Sequence, residues 1–170
     1  LDTPRRFHEP WEAQASLALR AGEPHAADTY AAHGRLHTSH PALLATQVAE
    51  AHARHESQGR SIAITVNTTE TARAVNREIQ WQGHRRTGVG IDLHDDTTAY
   101  VGDRIATRRN HPDLRSDTGE RVRNRQTWTV TDIAKDGTIT ARHDQRGTVT
   151  LPADYVAEHV ELGWAVTGYG

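Results

Sequence analysis

Twelve histidines, nineteen arginines, a single lysine and no cysteine bound the chemistry open to this 170-residue chain. His52 and His55 stand three apart, as do His37 and His40, so each pair would share one face of a helix. Neither carries the intervening Glu of a helical zinc hydrolase. A histidine-rich surface explains them better than metal ligation, and no metal ligand is assigned. A phosphate-binding P-loop needs Lys followed by Ser or Thr, because the amine reaches the β/γ-phosphates and the hydroxyl holds Mg²⁺. Lys135 is followed by Asp136, so that motif is excluded. No apolar strand leads into Asp95-Asp96, which reads as a solvated loop. No Gly-x-Ser-x-Gly elbow and no thiol nucleophile occur. Glu9, Glu12 and Glu50 read as solvated faces. What is left is a set of hydroxyl and guanidinium groups, Arg108-Arg109 among them, and the question is which elements position them.

Residues 10–21 begin with Pro10, end before Gly22 and place Trp11, Ala15 and Leu19 on one face, which predicts a helix. Residues 25–33 predict a second, shorter helix ended by Gly34. A third opens at His40-Pro41, turns Leu43, Leu44, Val48 and Ala51 inward and ends at Gly59. Residues 61–66 (SIAITV) are compact, apolar and β-branched, so they predict a buried strand. Asn67-Thr68-Thr69 follows as turn and N-cap, and residues 70–80 predict a helix with Ala72, Val75 and Ile79 inward. This series suggests part of an α/β layer with a parallel sheet. Residues 84–96 read as a connector.

From Ala99 the period changes to two. Residues 99–110 (AYVGDRIATRRN) turn at Gly102-Asp103 and open a β module. Residues 127–133, 138–141 and 148–151 alternate, with turns at Asp136-Gly137 and Gln145-Arg146-Gly147. Residues 152–159 predict a short helix and 164–167 a last strand. Short strands over about 50 residues suggest a small SH3-like or OB-like barrel. Residues 99–150 carry ten basic and seven acidic side chains, whereas the whole chain has a net charge of −2. The β module is therefore the mildly basic part. The arginine excess over a single lysine resembles GC-rich codon usage. The start at Leu1 and the lack of Met suggest an excised or processed piece. No run approaches the ~20 apolar residues of a membrane span, and the lack of cysteine fits a reducing, cytoplasmic setting.

Four stretches in order carry a resemblance: LDTPRRF with PWEAQASLALRAGEP, then SIAITVNTTETARAVNREI, YVGDRIATRRN and LPADYVAEHVELGWAVTGYG. Together they resemble the helicase region of conjugative relaxases of the TraA/TrwC type, a RecD-like superfamily 1 DNA helicase. The resemblance implies an α/β fold. Residues 1–96 and 152–170 would be part of the second RecA-like parallel-sheet domain, and residues 97–151 an inserted SH3-like β-barrel, domain 2B. It also implies that residues 61–66 and 164–167 share one sheet although the barrel separates them.

The resemblance further implies roles for individual residues. Arg6, with Arg5 as its neighbour, would reach the γ-phosphate of ATP in the cleft between the two RecA-like domains. Thr68 and Thr167 would contact the backbone of single-stranded DNA, although a plain N-cap and a strand threonine account for them equally. Arg108 and Arg109 would join the strand path, although an exposed hairpin edge accounts for them too. The intact protein would use ATP and Mg²⁺, bound with the remaining ATPase half of the parent chain. This piece alone, without a P-loop, would need no cofactor and be inactive. Gly168-Tyr169-Gly170 departs from the His and Lys/Arg of the family, so the tail there is divergent or altered. Two other classes stay open. One is a non-enzymatic interaction module whose barrel binds a protein or nucleic acid. The other is a hydrolase that uses the histidines.

Overall fold

The computed structural model describes residues 7, 9–83 and 88–168. The chain forms two compact units, Leu1–Pro41 and Ala42–Gly170. The first is a helical hairpin of α1 (Pro10–Arg20) and α2 (His25–Ala32). Pro10 occupies the first helical turn of α1, where its missing N–H costs nothing. At the other end Gly22 adopts φ +76°. There the Glu23 N–H reaches the Ala18 carbonyl at 2.9 Å and the Gly22 N–H reaches that of Leu19 at 3.1 Å. This paired closure satisfies carbonyls that the helix leaves open, and it recurs after α2 and at Gly59. Trp11 stacks on His33 with ring centroids 3.7 Å apart and meets Tyr30 edge-on.

A 3₁₀ turn, Pro41–Leu43, leads into α3 (Leu44–Ser57), the first helix of the second unit. Strand β1 (Ile64–Val66) and helix α4 (Thr69–Gly83) follow. The strand is shorter than the 61–66 run suggested, because only its second half finds a partner. That partner is β9 (Ala165–Thr167), parallel to β1 in the register Ile64↔Ala165 and Val66↔Thr167. The expected sharing of one sheet by these two distant segments is therefore observed.

Helix α4 buries Ala72, Val75 and Ile79, the face that the 3.6-residue period marked out, and also the polar Asn76 and Gln80. Both side chains hydrogen-bond to the β strands and their turns. Asn76 donates from Nδ2 to the carbonyls of Leu162 (2.8 Å) and Ala165 (3.0 Å), and its Oδ1 accepts the Ala165 N–H at 2.6 Å. Gln80 donates to the Thr98 carbonyl at 2.8 Å and to Oδ2 of Asp103 at 2.5 Å. One turn of helix thus ties the parallel pair to the β module.

Part of the 84–96 connector forms β2 (Ile91–Asp92), antiparallel to β3 (Thr98–Ala99). After the turn at Gly102-Asp103 come β4 (Arg104–Thr107), β5 (Thr127–Ile133), β6 (Ile139–His143) and β7 (Gly147–Leu151). Helix α5 (Ala153–His159) runs into β8 (Val160–Leu162), which pairs with β4. The result is a five-stranded antiparallel sheet in the order β7-β6-β5-β4-β8. The antiparallel sheet therefore reaches past residue 151 and takes its fifth strand from the return segment. Gly163 makes the transition from β8 to β9 possible. A Cβ there would lie 2.5 Å from the Ile105 carbonyl carbon and 2.7 Å from the Ala106 nitrogen. The fold is mixed α/β, and one continuous apolar core joins α3, α4, the sheet and α5, with Trp128, Ile105 and Leu162 among its fully buried side chains.

Candidate nucleic-acid interface

The parallel pair brings two of the expected residues to one edge. Thr167 ends β9 opposite Val66, and Thr68 lies two residues beyond Val66. In parallel sheets the carboxyl ends of the strands are where ligands usually bind. The two hydroxyls differ in setting. Thr68 is exposed and caps α4, with its Oγ1 accepting the Thr71 N–H at 3.1 Å and lying 2.8 Å from the Thr71 hydroxyl. Thr167 is buried. Just past it, the Gly168 carbonyl accepts a hydrogen bond from Arg125 Nη1 at 3.1 Å. Arg125 lies on the β4–β5 connection, so this bond links the β module to the strand edge. It holds an unusual backbone angle for a side-chain-bearing residue, φ +67°, and its Nη2 is buried without a hydrogen-bond partner among the described residues.

Arg108 and Arg109 do not lie together on an open face. Arg108 pairs with Glu161 at 3.3 Å. Burial pushes the Glu161 carboxyl above its ordinary value. Arg108 opposes that rise, Asp95 adds to it, and Arg73 and His94 pull back. Arg109 is exposed and places Nη1 3.2 Å from His159 Nε2, while its carbonyl accepts the Tyr155 hydroxyl at 2.5 Å. Burial raises the Tyr155 phenol above its usual range. Arg6 and residues 169–170 of the divergent tail lie outside the described residues.

A larger basic feature lies elsewhere. Arg115, Arg121, Arg123, Arg125 and Arg146 line one groove of about 670 Å³, with Glu120 as the acid among them. Its shape comes from a loop folded back on itself. The Ser116 N–H bonds the Glu120 carbonyl, and Arg115 bridges Arg121 in antiparallel fashion. Val122, fully buried between Arg121 and Arg123, pins the loop to the core, and its N–H bonds the Leu114 carbonyl at 2.9 Å. Arg146 shares Glu120 at 3.4 Å. Among the described residues five guanidinium groups against one carboxylate give a net positive concavity suited to phosphate oxygens. The signal was present as Arg-Val-Arg-Asn-Arg at 121–125, alternating outward charge with an inward valine. Composition averaged it into a net charge of +3 over residues 99–150.

Among the described residues no group of three or more His, Asp or Glu side chains could hold a metal ion. His52 instead meets Glu56 one helical turn on, at 4.0 Å. Among the described residues no helix is long and apolar enough to cross a membrane. No family model matches the chain, and no curated protein matches it.

Proposed function

We propose that this chain is part of the second RecA-like domain of a RecD-like superfamily 1 DNA helicase, in a conjugative relaxase of the TraA/TrwC type, carrying an inserted SH3-like module. Its task in this reading is to hold the phosphate backbone of single-stranded DNA. The observation that carries it is the parallel pairing of β1 with β9 across the whole antiparallel sheet. An insertion into a RecA-like layer requires this pairing, and it puts Thr68 and Thr167 at one edge. The arginine groove supports the same reading. Guanidinium and hydroxyl groups that contact phosphates carry no sequence information, as a translocating motor requires. The chain lacks the lysine and hydroxyl that would cradle ATP and Mg²⁺, so the reading assigns both to the remaining ATPase half. Arg6 would complete that cleft from this side. Closing and reopening of the cleft would alternate the grip of the strand edge on DNA.

Titration of labelled single strands with the 170-residue chain at two salt concentrations tests the reading. Weak binding that does not depend on base sequence and falls as salt rises is expected. Replacing Arg121 and Arg123 together by Gln is expected to weaken it about tenfold and to lower the salt slope by about 1–2. No binding at low salt would overturn the proposal.

A further inference from the structure

A second basic concavity lies on the outer face of the antiparallel sheet. Across four neighbouring strands Arg104 stands opposite Thr129, Thr129 opposite Arg142, and Arg142 opposite Thr148. Residues in register across a sheet point to the same face, so the two guanidinium groups flank one threonine. Two strand spacings put their Cα atoms about 10 Å apart. Around them lies a pocket of about 310 Å³ that Ser61, Thr127 and His143 also line. Arg104 Nη2 donates to the Thr127 hydroxyl at 3.0 Å. Among the described residues Arg142 makes no ion pair, and it is exposed. Among the described residues Asp144 is the one acid lining the pocket. Beneath, Trp128 also lines it, with a buried indole N–H that has no acceptor among the described residues. The lining is rich in donors and carries two fixed positive charges, the chemistry of a site for a phosphate-type anion.

This pocket is not isolated from the arginine groove. His143 lines the pocket, Arg146 lines the groove, and Arg146 Nη1 lies 2.8 Å from His143 Nε2. The two side chains form a shared wall. We infer that the groove and the Arg104–Arg142 pocket are one continuous track, and that the pocket holds a further phosphate of a single strand crossing the sheet face. The inference rests on the nucleic-acid reading above and extends it from one groove to a longer footprint.

Oligothymidylates of about 6 and 20 nucleotides separate the two, using the full chain and its Arg142→Gln and Arg142→Lys variants. A continuous track predicts that Arg142→Gln weakens the 20-mer three- to tenfold and lowers its salt slope by about one, while leaving the 6-mer unchanged. Arg142→Lys keeps the charge and should restore most of the salt slope. Unchanged affinity and slope for the 20-mer in Arg142→Gln would overturn the inference while leaving the nucleic-acid reading intact. No binding of either length by the unaltered chain would overturn both. Binding of an acidic peptide such as polyglutamate, lost in Arg142→Gln while the 20-mer is unaffected, would reassign the pocket to a protein partner.

Discussion

Arg108 shows how a residue's partner decides its role. The side chain keeps a quarter of its surface in water, whereas that of Glu161 keeps 9%. Removing Arg108 would strand a buried carboxylate. Arg108→Ala is expected to cost about 2–3 kcal/mol near neutral pH, below the range for fully buried pairs because Arg108 is partly solvated. The pH dependence follows from the raised Glu161 carboxyl. Protonation of that group favours the folded state, so its contribution is complete below the ordinary carboxylate range and is lost as pH rises through the raised value. Arg108 limits this loss. The cost of Arg108→Ala should therefore shrink as pH falls towards about 4, and in a Glu161→Gln background it should no longer depend on pH over this range. Urea denaturation at two pH values measures both. At this scale Thr68 was legible, because Asn-Thr-Thr-Glu is an N-cap pattern. The Arg108–Glu161 pair was not legible, because it joins residues more than fifty positions apart.

Helix α4 is the element on which the parallel pair and the β module both depend. Asn76 is its most discriminating position, since it uses both ends of one amide on the β8–β9 connection. Asn76→Asp keeps the acceptor and removes the donor, which leaves two buried carbonyls facing a carboxylate. A loss of about 3 kcal/mol or more is expected, read as a lower urea midpoint at unchanged slope. The elements found from sequence were those with local punctuation. α1 had Pro10 and Gly22, and β5 had alternation over residues 127–131, ahead of the register shift between Val130 and Asp132. β2 and β8 were missed for physical reasons. β2 is two residues long, and β8 follows α5 without a turn and buries the charged Glu161 along with Val160 and Leu162. No periodic signal survives in three residues buried on both faces. The arginine groove was legible only as composition, because it assembles Arg115, the 121–125 run and Arg146 through tertiary contacts.

On the scale of the molecule, every described residue of the main apolar core lies in the second unit, from Ala49 onward. A chain reduced to residues 42–170 is therefore expected to unfold cooperatively, with a Tm within a few degrees of the parent's second unit. Calorimetry of both chains would show it, and a non-cooperative transition in the shorter one would contradict it. The pairing of β1 with β9 has a further consequence, in time. Its strands are about a hundred residues apart, and closing so long a loop costs entropy before any contact repays it. The β5–β6–β7 meander can form from neighbours in sequence, and β8 can then zip onto β4. Only after that are the ends of the insertion close enough for Asn76 to catch them. The two-stranded edge carrying Thr68 and Thr167 is therefore expected to assemble last and open first, which would put that part of the proposed DNA surface, unlike the arginine groove on the β module, at the low-stability end of the molecule.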